Sequence, residues 1–246
     1  MGLGFGVTYA GGPAFLALAC LAWAALLAET SVAASRAFGL NPLRFLILDF
    51  IVFGPMPFLL HTGRIFSLVA VGLLWPLAIF LFFPATREGL TRWFFSAAVH
   101  SYVALGVHSF VLLREESMGA AFLVLTVVVL ADTGAYLTGR AIGRRPLAPS
   151  ISPSKTVEGA AGGMIVSAAA AMVMLQQKGF SILPSAAMAA ILSALAVLGD
   201  LFESFLKRGL GVKDFGSLLP GHGGFFDRLD SLLAVSIGLM LFLTFG

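Results

Sequence analysis

Apolar runs near or above the ~20 residues needed to span a bilayer recur along the whole chain, and they limit what it can fold into. The 246 residues would fill one or two soluble domains. With 59% apolar and 11% charged residues and a mean hydropathy of +0.99, however, the chain is not an ordinary globular protein. The runs predict an all-α integral membrane protein, a polytopic bundle of eight spanning helices at 8–34, 45–60, 65–83, 93–113, 118–138, 157–176, 182–202 and 229–245. Asn41-Pro42, Pro84, Pro146, Pro149, Pro184 and Pro220 mark joints between them, and the second span is short and interrupted by Gly54, Pro55 and Pro57. Met1 to Gly12 lacks the basic stretch of a cleavable signal peptide. The single cysteine, Cys20, lies in an apolar run; it excludes a disulfide framework or a cysteine metal site and reads as a small packing residue.

Cations distribute unevenly over the predicted connections. Arg36, Arg44, Arg87, Arg92, Arg140, Arg144, Arg145, Lys155, Lys207, Arg208, Lys213 and Arg228 fall on one side, and only Arg64, Arg114 and Lys178 on the other. The richer side is expected in the cytoplasm, with both termini outside. The two long polar loops, about 139–156 and 203–228, are joined by a two-helix hairpin and therefore share a face. No nucleic-acid partner is expected.

Four polar spots interrupt the hydrocarbon. Asp132 follows the apolar run Phe122–Ala131, where it either pairs with a cation such as Arg140 or stays at membrane depth at a cost of several kcal/mol. In the second, Ser152 is a candidate N-cap and Pro153 suits a first helical turn. That places Lys155 where the helix dipole disfavours a cation unless an anion shares the site. Lys155 reads equally as a solvated interfacial charge or one paired with Glu158, and no glycines stand in Walker spacing around it. The third spot places Asp200, Glu203, Ser204 and Lys207 on one helix face at i, i+3, i+4 and i+7, the pattern also of a solvated exit face. The fourth, Pro220 to Asp230, carries His222, Asp227, Arg228 and Asp230 among glycines that allow close approach of a ligand. Carboxylates from two segments suit a hard cation such as Mg²⁺, or else a salt-bridge cluster with the nearby cations. His222 fits a structural hydrogen-bonding role as readily as a chemical one.

The run from Ser204 to Asp230 resembles the signature of the phosphatidate cytidylyltransferases, or CDP-diacylglycerol synthases: S-x-x-K-R-x4-K-D-x-G-x2-L-P-G-H-G-G-x-x-D-R-x-D. Ser204, Lys207, Arg208, Lys213, Asp214, Gly216, Leu219, Pro220, His222, Gly223, Gly224, Asp227, Arg228 and Asp230 fill it. Asp132-Thr133 with Tyr136, Gly139-Arg140, Ser152-Pro153 with Lys155-Thr156, Glu158-Gly159 and Gly199-Asp200 are similar to the family's upstream blocks. The resemblance covers about 120–246, so 1–115 reads as N-terminal transmembrane helices and 116–246 as the catalytic transmembrane part. Ser154 departs from the pattern, standing where members usually carry a lysine.

The resemblance implies transfer of CMP from CTP to phosphatidate, with Mg²⁺ and a possible second cation, in the inner (plasma) membrane and with the site facing the cytoplasm. It implies Asp200 and Asp227 as metal ligands and Asp230 as a supporting one, with Lys207 beside them in the chemistry. Asp132, Lys155, Ser204, Arg208, Lys213, His222 and Arg228 are then the substrate-binding candidates, and a homodimer is implied too. Gly159-x-x-x-Gly163 offers a close helix contact, for a dimer or for internal packing. A CTP-dependent polyprenol or phytol kinase would need a similar site with another acceptor. A secondary transporter would show inverted repeats and charges at the midplane, and neither is evident.

The cation bias has a direct test. In a Cys20→Ala background, cysteines placed at Ser150 and Ser217 are expected to resist an impermeant thiol reagent in intact cells and to react after permeabilisation. Labelling of both in intact cells would invert the topology.

Overall fold

The computed structural model of the protein describes residues 12–39, 41, 43, 47, 85–216 and 223–245. The predicted spans at 45–60 (apart from Ile47) and 65–83, together with His222, lie outside the described residues. The described elements are α1 (Gly12–Phe38), α2 (Arg87–Glu116), α3 (Met118–Ile142), β1 (Pro146–Ala148), β2 (Ser152–Thr156), α4 (Val157–Gln177), α5 (Ile182–Gly209) and α6 (Phe226–Phe245). All six helices are long and apolar enough to cross a membrane, in agreement with six of the eight predicted spans. In hydrocarbon a chain must satisfy its backbone groups internally, and helices do so within each span.

Hydroxyl caps set several helix starts. Thr86 accepts the Gly89 N–H at 3.0 Å and opens α2, Ser117 accepts that of Gly119 at 3.2 Å and opens α3, and Thr156 accepts that of Gly159 at 3.1 Å and opens α4. The last cap corrects the reading of Ser152 as N-cap and Pro153 as first-turn residue. Residues 152–156 form a strand, with Thr156 paired to Pro146 and Ser152 to Ala148 in an antiparallel hairpin. A residue before proline is pushed to extended backbone, so Ser152 continues the strand and helix formation waits for Thr156. Lys155 therefore stands on β2, outside any helical turn.

Small residues bring the helices together, as expected where hydrophobicity cannot drive one span against another. On α3 and α4, Gly134 faces the Cα of Gly163, and a Cβ added at Gly159 would lie 2.9 Å from the Ala135 carbonyl. Gly159 and Gly163 thus serve packing within the chain. Gly199 of α5 lies against Asp230, Ser231 and Ala234 of α6, and Gly106 of α2 against Leu233. Buried hydroxyls add cross-links: Ser167 Oγ to Ser193 Oγ at 2.9 Å joins α4 to α5, and Ser231 Oγ to the Ala196 carbonyl at 2.9 Å joins α6 to α5. One apolar cluster includes Trp23, Leu26, Val103, Leu206, Phe215 and Phe226, and a second Val124, Val127, Leu192, Leu239 and Met240. Cys20 is exposed on α1 rather than packed inside.

Helix α5 extends past the predicted end at 202 to Gly209, carrying Glu203, Ser204 and Lys207 as its last two turns. Its C-terminal end, the start of α6 and the β1–β2 hairpin meet at one end of the bundle, where Arg208 Nε donates to the Ile151 carbonyl at 3.1 Å.

At Gly163 an added Cβ collides with the Ala131 carbonyl, whereas at Gly209 it meets nothing. Gly163→Ala is expected to destabilise the protein by about 1–3 kcal/mol through overpacking. Gly209→Ala should be neutral or slightly stabilising. Thermal unfolding of the detergent-solubilised variants checks both, and equal melting temperatures would rule out a backbone-to-backbone seam between α3 and α4.

Candidate active site at the polar end of the bundle

The site is assembled from helix α5 outward. Asp200, Glu203, Ser204 and Lys207 share one face of α5, as their spacing predicts, and the start of α6 brings Asp227 and Asp230 against it. Lys207 Nζ forms an ion pair with Glu203 Oε1 at 2.6 Å and donates to Asp227 Oδ1 at 3.0 Å, so one ammonium ties the two helices. The second oxygen of Asp227 accepts the N–H groups of Gly224 at 2.7 Å and Phe215 at 3.3 Å, which fixes the chain on either side of 217–222. Bonds between an ionised group and a backbone donor are among the stronger ones a protein makes.

A second set of carboxylates gathers beside this interlock. Oxygens of Asp200, Glu203 and Asp230 lie within 4.8 Å of one another, with Glu203 and Asp230 buried. Lys155, arriving on β2, pairs with Asp200 Oδ2. Glu158 instead accepts the backbone N–H groups of Arg144 at 3.0 Å and Arg145 at 3.2 Å, anchoring the hairpin to α4. Three carboxylates this close repel one another unless cations balance them. Lys155 and Lys207 supply part of that balance, and the oxygen-only donor set fits a hard divalent cation. The site is therefore able to hold a metal ion.

The remaining expected residues fall around this centre. Asp132 on α3 is in electrostatic range of Asp200, Lys155 and Arg228, while Arg140 bonds the Tyr136 hydroxyl at 3.1 Å and is not the partner of Asp132. Ser204 is buried on α5; Arg208 and Lys213 are exposed, Arg208 holding the hairpin through Ile151. Of the expected metal pair, Asp200 groups with Glu203 and Asp230, and Asp227 borders that group, held by Lys207 and two amides. Glu203 appeared on the α5 face in the sequence but was not singled out as a site residue. Glu29 of α1, whose Oε2 accepts the N–H groups of Phe225 and Phe226 where α6 begins, had no sequence signal at all.

A multi-pass helical membrane protein with a carboxylate and lysine cluster at one end of its bundle is the class this geometry defines. The profile of the Cytidylyltransferase family matches residues 1–245, and the chain belongs to that family, N-terminal helices included. A protein named phosphatidate cytidylyltransferase from Staphylococcus haemolyticus (strain JCSC1435) is 44% identical over 137 residues, 55% of this chain and 53% of that one. Proteins of the same name from Staphylococcus aureus (strain COL) and Bacillus subtilis (strain 168) are 42% identical over 137 residues and 40% over 139. Those matches cover 55% and 54% of this chain and 53% and 52% of the relatives, so the similarity spans about half the length of each.

Lys207 is the keystone of the interlock, with 14% of its side chain exposed between carboxylates at 2% and 8%. Lys207→Met leaves those carboxylates uncompensated and is expected to lower stability by roughly 3–5 kcal/mol. Adding Glu203→Gln should restore part of the loss. Thermal unfolding of single and double variants checks this, and a single variant as stable as the parent would show that the ion pairs contribute nothing to the fold.

Proposed function

We propose that this protein transfers CMP from CTP to phosphatidate, forming CDP-diacylglycerol and pyrophosphate for phospholipid synthesis. The observation that carries the reading is the meeting of Lys155, Asp200, Glu203, Lys207, Asp227 and Asp230, drawn from three separate segments, at one end of the bundle. Family membership and the names of the relatives support the same reaction.

The phosphate monoester of phosphatidate is already an anion and attacks the α-phosphorus of CTP without a strong general base. A phosphorus–oxygen bond forms to the lipid phosphate as the bond to pyrophosphate breaks. The difficulty is electrostatic, because two polyanions must meet and the leaving pyrophosphate must be stabilised. A bound Mg²⁺ supplies charge neutralisation at the phosphates. Asp200, Asp230 and Glu203 would hold it, with Asp227 bordering the same shell through Lys207. Lys155 and Lys207 stand at fixed positions against these carboxylates, so phosphate oxygens entering there meet oriented ammonium groups. Arg208, Lys213 and Arg228 line the approach as further phosphate partners, and Asp132, Ser204 and His222 position the nucleotide. The lipid would enter sideways from the bilayer with its headgroup at the interface.

The reading includes the cytoplasmic face of the plasma membrane as the location of the site, consistent with the cation bias and with the supply of CTP. It also includes a homodimer, whose seam would lie away from Gly159 and Gly163, since both are used against α3.

The purified protein with labelled CTP, Mg²⁺ and phosphatidate is expected to yield CDP-diacylglycerol and pyrophosphate in equal amounts. Release of CDP with phosphorylation of an isoprenoid alcohol would overturn the reading in favour of a kinase. Asp200→Asn, Asp227→Asn and Asp230→Asn should each lower turnover by roughly two orders of magnitude, the scale for loss of one strong electrostatic stabiliser. Near-normal turnover of all three at limiting Mg²⁺ would dismiss this carboxylate set.

A further inference from the structure

The N-terminal helix α1 places one carboxylate deep in the bundle. Glu29 is buried, with 5% of its surface exposed, in a helix otherwise apolar or hydroxyl-bearing around it. An ionisable residue inside a spanning segment is expensive to keep and calls for a partner. Its partner here is a helix terminus. Glu29 Oε2 accepts the N–H groups of Phe225 at 2.6 Å and Phe226 at 3.0 Å, the donors left open where α6 begins. A negative charge at a helix N-terminus is favourable, and charge-assisted bonds to open amides strengthen the effect. A residue almost the whole chain away therefore caps the helix that carries Asp227, Arg228 and Asp230.

The same carboxylate closes on the loop ahead of α6. A Cβ added at Gly216 would lie 2.5 Å from Glu29 Oε1, and one at Gly224 would lie 2.9 Å from Glu29 Oε2 and 2.8 Å from Asp227 Oδ2. Side chains at 216 and 224 would displace both carboxylates. Glu29 thus packs closely against both glycines, and Asp227 accepts the N–H groups of Phe215 and Gly224 beside them. Tyr102 of α2 adds a bond from its hydroxyl to the Asp230 carbonyl at 2.6 Å, so α1 and α2 each bear on the first turns of α6.

We propose that Glu29 is a positioning residue for the active site: from α1 it fixes the start of α6 and packs against Gly216 and Gly224, and so sets where Asp227, Arg228 and Asp230 stand. The role builds on the transferase reading, and the test keeps the two separable. Full-length Glu29→Ala and Glu29→Gln are compared with the parent by amide hydrogen exchange and by steady-state kinetics. The alanine variant should exchange the amides of 223–228 at least about tenfold faster, the scale for losing a charge-assisted hydrogen bond, with α4 unaffected. Its kcat should fall by about a hundredfold, the effect of misplacing catalytic groups by an ångström or so. Glutamine still offers an oxygen to both amides and should recover most of the protection and turnover.

Two results would overturn the proposal. An alanine variant that melts earlier yet keeps parental kcat and exchange at 223–228 would make Glu29 a stability residue only. A glutamine variant protected like the parent but as inactive as alanine would mean that the charge itself takes part in the chemistry. If the parent transfers no CMP, the functional reading fails, and the exchange experiment alone decides whether Glu29 orders the start of α6.

Discussion

Lys207 holds the polar end of the molecule together. It stands between Glu203 on its own helix and Asp227 on the next, and both carboxylates are nearly inaccessible. Buried charges of one sign are tolerated only with close partners, so the interlock is all or nothing. With the lysine in place, α5 and α6 have a fixed register at the point where they leave the apolar region. The contacts of Gly199 against Asp230 and Ser231 continue that register into the bundle. Asp200, one helical turn before Glu203, then comes within reach of Asp230 without further adjustment.

A second constraint delivers Lys155. The close approach of α3 and α4 through Gly134, Gly159 and Gly163 leaves little freedom in the connection between them. That connection folds as a short hairpin whose strands are tied to α4 by Glu158 and to α5 by Arg208. Both ties use backbone groups, one just ahead of β1 and one in the turn between the strands. Lys155 reaches Asp200 from this platform. A change in the α3–α4 packing would therefore be felt at Asp200, although none of the glycines touches it.

Much of this was legible in the sequence, for physical reasons that differ from place to place. The described spans follow from hydropathy because a bilayer demands a minimum apolar length. The α5 face follows from helical spacing alone, which brings Asp200, Glu203 and Lys207 together in any helix. The start of α4 was misread because Ser152 and Thr156 are both good caps and Pro153 suits either a first helical turn or an extended strand. Pairing with Pro146 and Ala148 decides between them, and that pairing is tertiary. The way Lys207 links Asp227 to Glu203 was also invisible, since it depends on how α6 packs against α5. Glu29 lay beyond reach altogether: its partners are 196 and 197 residues away, and no local pattern surrounds it.

The division of labour between the two halves of the chain follows from these distances. Residues resembling the family signature lie in the C-terminal half, yet the helix that carries three of them begins on a carboxylate from α1 and is braced by a tyrosine from α2. For a reaction whose barrier is mainly electrostatic, fixed dipoles and charges contribute most when they need not reorganise as the charge moves. The bonds of Glu29 and Tyr102 to the first turns of α6 are fixed contacts of that kind. Under the proposed role of Glu29, α1 acts on the site by positioning α6. An acceptor at position 29 answers the open amides of Phe225 and Phe226, which no residue near them in sequence is seen to do among the described residues.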